Sequence, residues 1–333
     1  MPLRTRLRSA ARQAPTGWRE IPVDRGDVGV RLDIVLLRHL AHEPAVSRAR
    51  IQKWIAQGRV QVNGQPAPRV AWRVAAGDLV RMQTRELRGR SRPQPEARDL
   101  DVLYEDAHLL ALHKPAGLVV HPSYKHQAGT LFNGLLWRAA AWPSGDAPAL
   151  LTRLDKMTSG VLLVAKRREV VVALQREMKA QRIEKDYLAV VRGVPAPASG
   201  TIDLALDRDP WDRRKVTVTD RGGQRAVTRY ARLAVSSDDD PHPVCSLVRC
   251  RLVTGRMHQI RVHLAHKGWP LVGDPTYGPP DAAPPFSRQA LHAWRVSLIH
   301  PVTGEPLEVV APVPDDLVHL LATLGLPIPD GGD

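Results

Sequence analysis

Cysteine is nearly absent: the 333 residues hold only Cys245 and Cys250. Five positions apart, the two would face opposite sides of one extended strand, so they frame neither a disulfide nor a metal cage. That economy suits a reducing compartment and a cytoplasmic protein. No stretch approaches the ~18 consecutive apolar residues that a membrane helix needs. The first twenty residues lack the apolar core of a secretory signal. Two common phosphate and nucleophile signatures, GxxxxGK[ST] and GxSxG, are missing, and no repeat of fixed period occurs. Acidic residues are also scarce, at 34 Asp plus Glu against 48 Lys plus Arg, a formal charge of +14. Solubility does not require such a surplus; it favours a polyanionic partner, usually nucleic acid.

Composition divides the chain. Residues 1–29 carry Arg4, Arg6, Arg8 and Arg12 with no acid before Glu20. They read as a basic, disordered tail in preference to a mitochondrial transit peptide. Residues 83–99 hold five arginines (85, 88, 90, 92, 98) and two prolines with almost nothing large and apolar, the composition of a linker. Between them, residues 30–82 form a small module. RLDIVLLRHLA places apolar residues at 32, 35, 36 and 40, a one-sided helical stripe. Ser47 is placed to cap RARIQKWIAQ, whose apolar side is Ile51, Trp54 and Ile55, and Gly58 to end it. RVQVNGQ then alternates Val60 and Val62 ahead of the turn pair Asn63 and Gly64. Residues 31–82 hold nine Lys/Arg against three Asp/Glu, with Arg48, Arg50 and Lys53 clustered on the capped helix.

From residue 100 to 326, with 327–333 as a tail, strands and helices mix around a central sheet, the pattern of an α/β or α+β domain. DVLYEDAHLLALHKPAGLVVHP reads as two strands, a KPAG turn and a third strand. Thr130 caps LFNGLLWRAAAW. VLLVAK (161–166) is the near-continuous apolar run of a strand buried on both faces. EVVVALQREMKA is a helix, KDYLAVVRG a strand, MHQIRVHLAHKG a helix, and ALHAWRVSLIHP a late strand.

Within this module His258, His263 and His266 could suggest a metal. On a helix, however, 258 points away from the other two and no acid or thiol joins them, so no metal is expected. One acid has an unusual setting: Asp155, in LLTRLDKMTSGVLLVAK, between Arg153 and Lys156 and just before the apolar run. A carboxylate held beside a guanidinium stays anionic at neutral pH. It can attack an electrophilic sugar carbon or accept a proton. Taken alone, the stretch supports only a surface turn with a salt bridge, since salt bridges far outnumber nucleophiles.

Four motifs in a fixed order decide between these. TRLDKMTSGVLLVAK resembles HRLD-x-x-TSG of the RluA-type pseudouridine synthases, and HKPAGLVVHP resembles the element that precedes it there. KDYLAVVRG is similar to the family's K-x-Y motif. VTGRMHQIRVHLAHKGWPLVGDPTYG follows TGR-x-HQIRVH-x-x-x-x-G-x-P-x-x-GD-x-x-YG over its whole length. SRARIQKWIAQGRVQVNG resembles the αL module named after the fourth small-subunit ribosomal protein, which binds structured RNA. The resemblance implies an α+β fold: a catalytic domain with a central, mainly antiparallel mixed sheet flanked by helices, plus a small RNA-binding domain. It implies an RNA uridine isomerase without cofactor, acting by base flipping, with large-subunit ribosomal RNA as substrate and transfer RNA as the alternative. Asp155 would be the nucleophile, Arg261 would pair with it, and Tyr187 would stack on the target uracil and serve in the proton step. Arg153 would enter the RNA stack, and Arg48, Arg50 and Lys53 would contact phosphates. His258, Gln259, Gly273 and Asp274 match the motif but read as structural or RNA-proximal. RNA is the partner expected, with a monomeric chain and no membrane.

Two positions depart from the pattern. Thr152 stands where the family usually has histidine, and Met257 where it has Thr or Ser. Neither supplies the nucleophile, so the departures bear on substrate choice more than on chemistry. A catalytically decayed RNA-binding protein is the rival reading, but Asp155, Tyr187 and Arg261 are all intact. A glycosylase would use a similar aspartate but release free base.

Overall fold

A computed structural model describes residues 17–41, 46–83, 93–122, 126–212, 214–237, 243–279 and 283–330. The arginines of the first sixteen residues and of 85–92 lie outside the described residues. The chain divides into two compact units, Met1–Arg92 and Pro93–Asp333.

In the first unit, β1 (Trp18–Ile21) precedes α1 (Leu32–His39), α2 (Arg48–Ala56), β2 (Val60–Val62), β3 (Gln65–Pro66) and β4 (Val80–Gln83). The four strands form one sheet in the order β1-β4-β2-β3. The helical stripe does what its spacing predicts: Leu32, Val35, Leu36 and Leu40 are fully buried against Ile51, Trp54 and Ile55 of α2. The Ser47 hydroxyl accepts from the Arg50 N–H, and Gly58 follows the α2 C-cap with φ 69°. Asn63 and Gly64, at φ 53° and 80°, make the tight β2–β3 turn. The expectation of a tail through residue 29 is corrected from Trp18 onward. β1 pairs with β4 from Trp18–Gln83 to Ile21–Val80, and buried Ile21 joins the module's core, which gives this segment partners a free tail lacks.

Asp33, buried on α1, is the polar centre of this unit. It accepts from Arg31 at 3.0 and 3.3 Å, from Arg48 at 3.0 Å and from Gln52 at 3.0 Å. Burial alone would raise its pKa, but these donors outweigh it and hold the group at about 2. An acid whose folded pKa lies below its unfolded value stabilises the fold above the unfolded pKa, and that stability is lost as pH falls toward the folded one. The N-terminal unit of the intact chain should therefore lose stability between about pH 4 and pH 2. Denaturant titration followed at the Trp54 indole NMR signal measures this. Asp33→Asn should weaken the unit at neutral pH and flatten that part of its acid dependence; an unchanged profile would show that other groups control it.

The second unit opens with β5 (Val102–Glu105), β6 (Leu109–Lys114), α3 (Leu131–Ala139), β7 (Ala149–Leu150) and β8 (Ser159–Ala165). It continues through α4 (Arg168–Lys179), β9 (Glu184–Arg192), β10 (Ser199–Arg208), β11 (Val216–Val218), β12 (Gln224–Val235) and β13 (Cys245–Leu252). α5 (Gln259–His266), β14 (Leu291–Ile299), β15 (Pro306–Val310) and α6 (Asp315–Thr323) complete it. The sheet runs β11-β10-β12-β13-β9-β14-β8-β6-β5, with β15 on β14 and β7 on β8. Every pairing is antiparallel except β14 with β8, so the fold is α+β around a mainly antiparallel mixed sheet. All seven residues of β8 are buried, as a two-faced strand requires. Cys245 and Cys250 sit on opposite faces of β13, in separate apolar clusters.

Two expectations need correction here. LVVHP forms no strand, because the carbonyls of Val119 and Val120 accept the first N–H groups of α3, from Leu131 and Phe132. The linker composition does not continue to residue 99 as free chain: Gln94 and Glu96 bond to Asn133 of α3, and the Glu96 carboxylate takes the Gly129 N–H.

Candidate active site

The loop before β8 carries Arg153, Leu154 and Asp155, and its backbone is clamped from two sides. Lys114, fully buried at the end of β6, donates to the carbonyls of Pro115 (2.7 Å), Leu118 (2.9 Å) and Lys156 (3.0 Å). Arg288, also buried, donates to the Met157 carbonyl at 3.2 Å while its other nitrogens hold Asp316. Asp155 closes the turn itself, its carbonyl accepting the Thr158 N–H. Gly160 lets the loop enter the sheet: at φ 115° it lies so near β14 that a Cβ would meet the Ala293 carbonyl oxygen at 2.0 Å. Burial, helped by the Arg288 charge, pulls Lys114 down to about 7, and Asp155 opposes that. Its three carbonyl acceptors need three N–H groups, which only the ammonium supplies.

Against this loop stands α5. Arg261 is buried on it, with Nη1 3.0 Å from Asp155 Oδ2. The other edge of the same guanidinium grips Asp274 through Nε at 2.7 Å and Nη2 at 2.8 Å, and Asp274 also accepts the N–H groups of Thr276 and Tyr277. Burial by itself would lower the Arg261 pKa; Asp274 first and Asp155 second more than offset it and raise it. Asp274 is held below the usual carboxylate range because Arg261 and the two N–H groups outweigh its burial. Gly273 allows this packing, since a Cβ there would sit 2.2 Å from the Arg288 carbonyl oxygen.

His258 starts α5 in a left-handed conformation, φ 55°, which brings its ring back toward the loop. Its Nε2 lies 3.8 Å from Asp155 Oδ2, and its Nδ1 lies 2.8 Å from the Tyr277 hydroxyl. That hydroxyl also accepts the Val216 N–H, which ties the ring of Tyr277 to β11 as well as to His258. Burial lowers the His258 pKa against the pull of Asp155, which keeps the ring neutral at neutral pH. Arg261 lies over the Tyr277 ring, 5.1 Å from its centroid.

Asp155 and His258 border a cavity of about 640 Å³, ample for a nucleotide. Asp155 reaches it with its side chain 27% exposed, and Arg153, exposed, lies on its rim. Tyr187, on β9, is a wall of the same cavity. Burial and the neighbouring Asp155 charge raise its pKa, so it is a neutral phenol. The sequence-identified Asp155, Arg153, Tyr187 and Arg261 are thus brought together from three separate segments.

Over residues 108–266 the chain matches the family described as RNA pseudouridylate synthase, and over 30–80 the S4 domain. It is 40% identical over 319 residues to ribosomal large subunit pseudouridine synthase D of Xanthomonas campestris, covering 92% of each chain. The chain belongs to the RNA pseudouridylate synthase family. An uncharacterized RNA pseudouridine synthase of Bacillus subtilis is 39% identical over 84% of this chain and 89% of its own. Among solved structures, human RNA pseudouridylate synthase domain containing 4 superposes with a TM-score of 0.55 at 26% identity, covering 69% of this chain and 95% of that one. The synthase is therefore an isomerase with an S4 RNA-binding domain.

The basic residues of that domain are not equivalent. Lys53 is exposed. The Arg48 side chain is half exposed but is tied through Nε to Asp33. Arg50 lies over the Trp54 ring at 5.2 Å. Reading the sequence missed Lys114, Arg288 and Tyr277, and understated Asp274. The buried lysine had a signal, since a cation inside KPAG next to an apolar strand has nowhere to go but inward. The synthase motif histidines separate: His263 is buried against Thr228 at 2.9 Å, while His258 belongs to the site. Among the described residues no helix is long and apolar enough to cross a membrane.

Asp274 is a positioning residue: it takes two of the three donors with which Arg261 is engaged and leaves Nη1 for Asp155. Asp274→Asn keeps the size but removes the charge that orients the guanidinium. Single-turnover rates should fall about 100-fold with RNA affinity unchanged. A rate near that of the parent would mean that Asp155 and Tyr277 suffice to align Arg261.

Proposed function

We propose that the synthase converts uridine to pseudouridine in large-subunit ribosomal RNA, with Asp155 as the group that acts on the ribose. The observation that carries this reading is the single hydrogen bond from Arg261 to Asp155 Oδ2, which leaves the other carboxylate oxygen free of protein donors among the described residues and open to the cavity. A base inside folded RNA must leave its stack, at a cost of a few kcal/mol. Arg153 on the rim is suited to fill the gap, and Tyr187 offers an aromatic face for the flipped uracil. Because Tyr187 stays a neutral phenol, stacking is its role and it is a poor base. The S4 domain supplies phosphate contacts through Lys53, Arg50 and the exposed part of Arg48, which set register without reading sequence. The names of the relatives support large-subunit ribosomal RNA as the substrate; that the chain is a cytoplasmic monomer with RNA as its partner belongs to the same proposal.

Asp155→Asn preserves shape and should lower pseudouridine formation by 10⁴-fold or more while RNA binding stays within about threefold. Product at the parent rate would remove Asp155 from the chemistry. Mapping pseudouridines in a strain lacking the gene tests the substrate. Sites missing from large-subunit ribosomal RNA support the reading, and sites missing only from transfer RNA replace it.

A further inference from the structure

Lys185 is a half-buried cation without a counter-charge. It lies two residues before Tyr187 on β9, so both side chains leave the same face of the sheet. Both line the cavity that Asp155 enters. Among the described residues no carboxylate or hydrogen-bond acceptor meets the Lys185 ammonium. The acid between them, Asp186, turns to the other face, where Arg251 and Arg295 claim it. Thr152 lines the same wall with a small uncharged side chain, and the Arg295 guanidinium that also borders it is engaged by Asp186, so Lys185 is the cation there without an acid. Burial pulls the Lys185 pKa down with nothing to oppose it. An ammonium kept in such a place costs stability until an anion arrives.

The reaction supplies one. When the bond between ribose C1′ and uracil N1 breaks, its electron pair leaves with the base, and the negative charge spreads over N1, O2 and O4. This holds whether Asp155 bonds to C1′ or takes the 2′ proton. On re-joining, C5 returns an electron pair to C1′, loses its proton, and N1 gains one, so no co-reactant is consumed. Resting on the reading of the site given above, we propose that Lys185 is a catalytic residue whose ammonium stabilises the departing uracil anion, holding it over Tyr187 while it turns from N1 to C5. A fixed cation at the place where charge develops favours the transition state over the neutral bound base.

The test compares Lys185→Met and Lys185→Arg in the full chain, on RNA carrying uridine or 5-fluorouridine at the target position. Fluorine makes the base a better leaving group, which needs less help from a cation. On uridine, Lys185→Met should lower the single-turnover rate about 100-fold, with RNA affinity within about threefold of the parent. On 5-fluorouridine, conversion of the nucleoside, read by chromatography of nuclease digests, should fall less than about fivefold. Lys185→Arg should recover most of the uridine rate. Removing an unpaired cation should leave the melting temperature of Lys185→Met equal to or above that of the parent, which separates loss of chemistry from loss of fold. Equal slowing on both bases would overturn the assignment, as would weaker binding at an unchanged rate, or no effect at all. Failure of the parent chain to form pseudouridine in any RNA would instead sink the underlying reading, since no variant enters that result.

Discussion

Everything in the synthase domain converges on one guanidinium between two carboxylates. Arg261 is 6% exposed and Asp274 not at all, so neither charge survives there without the other. Removing one partner of a buried pair typically costs 3–5 kcal/mol, because the survivor stays desolvated. Asp155 is the third member but the exposed one. It is held by one nitrogen while Asp274 holds two, which leaves its second oxygen without a protein donor among the described residues. Had Asp155 received the bidentate grip, both of its oxygens would have been occupied by the protein.

The same division of labour explains the loop. Its shape is set through backbone carbonyls, by Lys114 on Lys156 and Arg288 on Met157, so this clamping uses neither the Arg153 nor the Asp155 side chain. Buried cations are costly structural elements, and a hydrophobic core could brace a loop at lower cost. They bring something a methyl group does not: N–H donors that fix the positions of the loop's carbonyls.

Local order was legible where the information is local. Ser47 before a helix, Asn63 and Gly64 between valines, and the unbroken apolar run of β8 each carry their own conformational reason, and the structure follows them. Long-range partners were not. The Asp155–Arg261 bond spans 106 positions and the Lys114–Lys156 bond 42, and no periodicity connects such pairs. Only the order of the motifs brought Arg261 to Asp155. Val119 and Val120 misled for a related reason: apolar character suggested a strand, but their carbonyls are spent on α3, and strand pairing needs those same groups. Trp18–Ile21 misled in the opposite sense, since a basic neighbourhood hid a segment with a sheet edge waiting for it.

The two departures from the family pattern now have surroundings. Met257 packs with Val216, Val262 and Tyr277, where a thioether fills space that a hydroxyl would leave polar. It thus packs beside Tyr277, which meets the His258 ring, and also lines the cavity next to Asp155. Thr152 is different, because it faces the cavity beside Lys185. A histidine there would put a second titratable ring near the ammonium and share whatever anion the wall receives. With threonine in place, Lys185 is the cation of that wall not already matched by an acid, since Arg295 beside it is held by Asp186. A sequence whose local choices otherwise agree with its fold keeps a half-buried lysine here without an acid among the described residues, and such exceptions are found where function opposes stability.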